Sequence, residues 1–175
     1  MMKRVIVEGP DGSGKSTLIA SLMARFPQLE LFPSYKHVEQ DLTIEQYIDL
    51  GLSPDGPVYP RLHDRFFYSE LIYGPILRGK ISISPQKVRT VRSLLGDTAF
   101  LIYCRLPYEE LVKRAQINEQ KQGVLENLSR IYHDYDTIIG DNSSRFWTRN
   151  AYSMYDQTTA ALDDTVKLLE GYLGD

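Results

Sequence analysis

The sequence has a single cysteine, Cys104, among 175 residues. No disulfide can form within the chain, so packing alone must hold the fold, and a reducing cytoplasm is the expected location. No apolar run approaches the roughly 20 residues that a membrane-crossing helix requires, so no membrane association is expected. An excess of positive charge is also missing: 20 Lys and Arg stand against 23 Asp and Glu, for a net charge of −3, which supplies no overall attraction to polyanions. The three histidines, His37, His63 and His133, lack the spacing of a metal site. No internal repeat, linker or low-complexity stretch interrupts the chain. With 42% hydrophobic residues, what remains is one globular domain over residues 1–175, long enough to bury a real core.

Short apolar runs alternate with helical patterns along the chain. Lys3 to Glu8 read KRVIVE, a strand buried on both faces. No leader segment is expected before it, because a glycine-rich loop starts at Gly9. Leu18, Ile19, Leu22, Met23 and Phe26 then recur at helical spacing until Pro27. Further strands are predicted at Leu29–Phe32, Arg61–Asp64, Thr98–Cys104 and Arg145–Asn150. Helices are predicted over Thr43–Leu50, Phe66–Leu77 (disturbed by Gly74 and Pro75), Ser84–Leu95 with Gly96 as stop, from Pro107 onward, Val124–Ile139 and Asp156–Leu173. This alternation predicts an α/β fold, a roughly five-stranded parallel sheet with helices on both faces. Polar residues 116–123 are read as a small lid.

The pattern G-x-x-x-x-G-K-[ST] is met by Gly9, Gly14, Lys15 and Ser16, between a predicted strand and a predicted helix. Each residue type has a physical reason. Glycines let backbone N–H groups close around an anion, and the helix start adds its positive end. A lysine in this position reaches the β- and γ-phosphates of a nucleoside triphosphate, and a hydroxyl such as that of Ser16 ligates magnesium. Gly9, Asp11, Gly12, Ser13, Gly14, Lys15, Ser16 and Thr17 are therefore the expected ATP-binding segment, with ATP and Mg2+ as the expected cofactors. No NKxD motif for guanine follows. The strand FLIYC ends without an aspartate, so the carboxylate facing the phosphates must come from elsewhere, and Asp64 is the best candidate.

EGPDGSGKST followed by DRFFYSELIYG resembles the thymidylate kinase family and, more distantly, the deoxynucleoside kinases. The resemblance implies a P-loop kinase, a homodimer, and roles for particular residues. Asp11 would bond the 3′-hydroxyl of the acceptor sugar. Asp64 would lie near magnesium and the attacking oxygen. Arg65 would clamp the acceptor phosphate, with Ser69 and Tyr73 beside the acceptor. Arg114 and Lys121, next to or within the lid, would neutralise charge on the moving phosphoryl group, a need sharpened by Ser13, where some members of the family place an arginine. Plainer readings stand beside these: a turn-forming Asp11, an Asp64–Arg65 ion pair at a strand end, and solvated helix charges at Arg114 and Lys121.

The chain departs from the family in places. Only the thirty residues from Pro33 to Leu62 fill the region where the acceptor base is usually held. Phe32, Tyr35, Lys36 and Tyr47 are the substitutes on offer. Ile72 and Gly74 replace an alanine and a glutamine of the family pattern. A run without acidic residues carries Arg78, Lys80, Lys87, Arg89 and Arg92. It reads either as a solvated helix face or as a phosphate-binding surface for a polynucleotide acceptor. The expected reaction is transfer of the ATP γ-phosphate to a deoxynucleoside monophosphate, with dTMP as the first candidate. The rivals are a deoxynucleoside kinase, a kinase for a modified base in DNA, and a nucleotide-dependent switch protein.

Overall fold

The computed structural model describes residues 3–35, 42–53, 60–96, 98–117, 122–140 and 152–174. Five strands, β1 (Arg4–Glu8), β2 (Glu30–Phe32), β3 (Arg61–Asp64), β4 (Ala99–Cys104) and β5 (Tyr152–Tyr155), form one sheet in the order β2-β3-β1-β4-β5. Every adjacent pair is parallel. The chain's first strand lies between the third and the fourth. The strand order therefore reverses beside β1, and the crevice that forms at such a point opens at the carboxyl end of the strand.

Alternation along β1 separates two cores. Val5 and Val7 pack with Leu18 and Leu22 of α1 (Lys15–Arg25) and with Leu169 of α8 (Thr159–Gly174). Ile6 faces the other side, toward Ile48 of α2 (Ile44–Leu52), Phe67 and Ile72 of α3 (Phe67–Arg78), Val91 of α4 (Pro85–Leu95) and Ile131 of α7 (Leu128–Tyr135). Helices thus cover both faces, as a fully parallel sheet requires. Leu111 and Ala115 of α5 (Tyr108–Ile117) join Leu128 in a smaller cluster, next to the short α6 (Gln122–Glu126).

Two buried arginines close the end of α2, which has no basic residue in its own last turn. Arg4 donates to the carbonyl of Leu52 at 2.8 Å, and Arg61 to that of Leu50 at 3.0 Å. Leu50 also accepts from the Ser53 N–H at 3.3 Å, and a helix end whose carbonyls run short of internal partners favours cations. At its other end, Thr43 and Gln46 form a reciprocal capping box.

Some elements differ from the sequence expectations. Helix α3 runs through Gly74 and Pro75; the proline removes one internal hydrogen bond, and burial of Phe67, Tyr68 and Ile72 keeps the helix whole. The long helix expected over Val124–Ile139 is split at Asn127, whose side-chain amide donates to the Gly123 carbonyl at 2.8 Å, competing with the backbone ladder. After α7 the chain widens into a π-helical turn, Asp136–Gly140. Helix α4 ends at Leu95 with Gly96 as its cap, as expected, and Gly96 takes a right-handed conformation at φ −41°. The strand predicted over Arg145–Asn150 lies outside the described residues, and the last strand of the sheet is Tyr152–Tyr155. The lid region is described only at its edges, where Gln116 and Ile117 close α5 and Gln122 and Gly123 open α6. No described helix is long and apolar enough to cross a membrane.

Candidate active site

The glycine-rich loop leaves β1 and turns into α1. Gly9 has φ +150° and passes so close to β4 that a Cβ there would meet the Cys104 carbonyl oxygen at 2.4 Å. Gly14 is left-handed at φ +88°, and a Cβ on it would strike the Gln157 side chain. Inside the loop, Lys15 donates to the carbonyl oxygens of Gly9 and Pro10, at 2.9 and 2.6 Å. Burial pushes its ammonium group down to about 7, helped by the nearby positive charge of Arg65.

The turn after β3 faces this loop. Arg65 is left-handed at φ +64°, a conformation that costs a non-glycine residue on the order of 1–2 kcal/mol and so needs outside support. The support is visible in its contacts. Its Nη2 donates to Asp11 Oδ1 at 2.5 Å, and its Nη1 to Ser69 Oγ at 3.1 Å and to Tyr135 Oη at 2.7 Å. Its guanidinium also lies over the Tyr73 ring, 5.2 Å from the centroid. Tyr73 Oη donates to Asp11 Oδ2 at 3.3 Å and accepts from the Asp11 backbone N–H at 3.2 Å.

Behind Arg65 sits Glu8, the last residue of β1, with no exposed surface. It accepts from the backbone N–H groups of Phe66 and Ser69, and from the hydroxyls of Ser69 and Tyr135. Burial pushes its carboxyl above the ordinary carboxylate range, while Arg65 and the hydrogen bonds pull the other way.

Asp11, Lys15, Arg65, Ser69 and Tyr73 border one cavity of about 790 Å³, of the size that holds a nucleotide-sized ligand. The loop contributes Asp11, Gly12, Gly14, Lys15, Ser16 and Thr17; β3 and its turn add Asp64, Arg65 and Phe66. Tyr35, Tyr47 and Tyr73 supply aromatic wall, with Ile44, Leu77 and Val124 as apolar lining. Tyr47 is packed against Phe32 and Tyr35, with ring centroids 5.3 and 5.4 Å away. Arg114 reaches the rim, held by Glu110 at 3.1 Å and by Gln157 Oε1 at 2.5 Å.

Among the described residues, no group of three or more His, Cys, Asp and Glu side chains could hold a metal ion. The cavity lining includes the Ser16 hydroxyl, next to Lys15 in the chain, and the Asp64 carboxylate at the end of β3. That set fits magnesium, which keeps several waters and takes its remaining oxygens from phosphate.

The structure therefore brings together Asp11, Lys15, Ser16, Thr17, Asp64, Arg65, Ser69, Tyr73 and Arg114. Gly9 and the fully buried Ser13 form the loop behind them. Lys121 and Lys36 lie outside the described residues. The basic stretch is partly neutralised: Arg78 is paired with Glu70, and Lys87 with Asp49. Sequence reasoning missed Glu8, Tyr135 and Gln157. A lone carboxylate closing the apolar strand before the loop was a signal for Glu8. Tyr135 sat at core spacing and offered none.

No protein-family model matches the chain, and no curated protein matches it in sequence. Solved structures do match in shape. YorR from Bacillus subtilis, in complex with phosphorylated GDP, superposes with a TM-score of 0.73 at 18% identity over 99% of each chain. Deoxyadenosine kinase from M. mycoides with bound dCTP gives a TM-score of 0.59 at 15% identity, over 96% of this chain and 99% of that one. Polyphosphate kinase 2 from Arthrobacter aurescens TC1 gives 0.65 at 12% identity, over 99% of this chain and 69% of that one. At such identities the likeness shows the fold alone.

Proposed function

We propose that the protein is a magnesium- and ATP-dependent phosphotransferase acting on a nucleotide. One observation carries the reading: a phosphate loop with its lysine, a second cationic group at Arg65, and an aromatic wall all border one cavity. The loop and Lys15 suit the β- and γ-phosphates of a donor. Arg65 suits a second, separate phosphate, because its planar fork binds phosphate in two places at once. Two phosphate sites facing each other are what transfer between nucleotides needs. The neighbours in shape, a deoxyadenosine kinase and a polyphosphate kinase, support phosphoryl transfer.

The acceptor class that follows is a deoxynucleoside monophosphate, and the sequence resemblance points to dTMP. An acceptor phosphate oxygen attacks the γ-phosphorus in line; the new O–P bond forms as the bond to the β,γ-bridging oxygen breaks, and ADP leaves. Bound magnesium, held by Ser16 and Asp64, would supply charge neutralisation at the phosphates. The chain's own residues position and screen. Asp11 holds Arg65 until the acceptor phosphate competes for the guanidinium. Asp11 is then free to accept a hydrogen bond from the sugar hydroxyl. Arg114, at the rim, is placed to meet charge on the transferred group, and Tyr73 borders the acceptor.

A deoxynucleoside kinase is the second reading, favoured by the likeness to deoxyadenosine kinase; there the acceptor is a 5′-hydroxyl and Asp64 is the base. A polynucleotide acceptor has less support, since Arg78 and Lys87 already have carboxylate partners. The test is a panel of nucleosides, nucleoside monophosphates and DNA oligomers with labelled ATP. Label transfer to dTMP and not to thymidine supports the proposal. Transfer only to nucleosides or only to DNA overturns it.

A further inference from the structure

The geometry points to Glu8 as the residue that positions Arg65, acting through two hydroxyl groups. The inference rests on the reading of Arg65 as the acceptor-phosphate clamp.

The argument starts from what each group can donate and accept. A guanidinium only donates, and an ionised carboxylate only accepts. Arg65 Nη1 donates to Ser69 Oγ at 3.1 Å and to Tyr135 Oη at 2.7 Å. Each hydroxyl therefore has its single proton left for another acceptor. Glu8 Oε2 lies 2.7 Å from Ser69 Oγ and 3.2 Å from Tyr135 Oη. Both protons can be used there, and the two hydroxyls, 2.9 Å apart, become parallel bridges from cation to carboxylate. Glu8 Oε1 is occupied as well, by the N–H of Phe66 at 2.7 Å and that of Ser69 at 3.3 Å. Four donors surround one carboxylate, and this arrangement favours the ion against the opposing push of burial.

The same bonds explain the backbone. Helix α3 has no side-chain cap of its own, and the Glu8 carboxylate serves its first amides from another strand, where negative charge is favoured. Glu8 thus fixes both ends of the residue that matters: the turn that carries Arg65 in its left-handed conformation, and the guanidinium at the end of its side chain. Nη2 remains on the cavity side with Asp11. An acceptor phosphate can take Nη2 while Nη1 stays tethered, so the clamp changes partner without losing its place.

The test compares wild type with Glu8→Gln, Ser69→Ala and Tyr135→Phe. Glutamine keeps the size of the side chain but puts an N–H2 group against hydroxyl protons or against backbone N–H groups, whichever way it turns. With ATP and dTMP as probes, the expected result for Glu8→Gln is a dTMP KM raised about 10- to 100-fold, the range for a charged hydrogen bond. Its Mg·ATP Kd stays within about twofold of wild type. The two hydroxyl variants shift the dTMP KM in the same direction by less. A second readout needs no turnover. NMR of 15N-labelled arginine, assigned through Arg65→Lys, should show hindered rotation of the Arg65 guanidinium in wild type and free rotation in Glu8→Gln. Unchanged dTMP KM and unchanged rotation in Glu8→Gln overturn the inference. So does a parallel loss of both nucleotides with a lower Tm, which marks a purely structural residue. If wild type phosphorylates no monophosphate while the guanidinium is freed as expected, the functional reading fails and the tether stands.

Discussion

The ammonium nitrogen of Lys15 lies 2.6 Å from the carbonyl oxygen of Pro10: the phosphate loop binds its own cation. The group is buried and held down to about 7, first by desolvation and then by Arg65. A triphosphate brings negative charge to the same nitrogen and raises its proton affinity. Nucleotide binding should then take up a proton above pH 7, and affinity should fall as pH rises from there, by up to about tenfold per pH unit from this group alone. Calorimetry at pH 8 in buffers of different ionisation enthalpy measures the uptake. Binding heats independent of the buffer would remove the basis for this expectation. In Lys15→Met the uptake and the transfer reaction should both disappear with the fold intact.

Arg65 binds through a fork that lysine cannot reproduce. Arg65→Lys should lower kcat/KM for the acceptor by about 10- to 100-fold and leave Mg·ATP affinity near wild type, as read by steady-state kinetics beside equilibrium binding. Equal weakening of both nucleotides would show that Arg65 serves the loop rather than the acceptor.

His63 has no exposed surface and no hydrogen-bond partner on either ring nitrogen, and it packs between Phe32 and Phe66 with ring centroids at 5.0 and 4.7 Å. Burial, with Arg4 and Arg61 nearby, holds it down to about 3. Below its unfolded value near 6.5 the unfolded chain binds a proton that the native state refuses. The stability attached to this residue is thus complete above about pH 6.5 and is lost at about 1.4 kcal/mol per pH unit as pH falls toward 3. Urea unfolding of wild type and His63→Phe from pH 7 to pH 4 should show a shallower fall in the variant. Parallel curves would contradict the assignment.

Gly9 and Gly12 should respond differently to a methyl group. At Gly9 the new atom meets backbone, the Cys104 carbonyl oxygen at 2.4 Å, whereas at Gly12 the nearest neighbour is a Leu111 methyl at 3.6 Å. Gly12→Ala pays only for its left-handed backbone, roughly 1–2 kcal/mol. Gly9→Ala forces the first and fourth strands apart and should unfold at markedly lower denaturant. Similar midpoints for the two variants would rule out this packing.

The sheet and the glycine-rich loop were legible because their signals are local. KRVIVE and FLIYC are buried strands by composition, Ser84 and Pro85 announce a helix start, and the loop pattern spans eight consecutive residues. The rest depended on distant partners. Glu8 meets Tyr135 across 127 positions, a pairing no local spacing encodes. The basic face around Lys87 is partly neutralised because Asp49 comes from another helix. The break at Asn127 turns on one side-chain amide competing with the backbone, which a count of apolar residues does not register.

The second helix is fastened on two sides. Arg4 and Arg61 grip its last carbonyls, while Glu45 accepts from the Ser84 backbone and Asp49 holds Lys87. Tyr47, which it carries into the cavity, therefore has little freedom to follow an incoming ring. Under the proposed function, that wall would select among bases as a fixed template does, by admitting shapes that already fit.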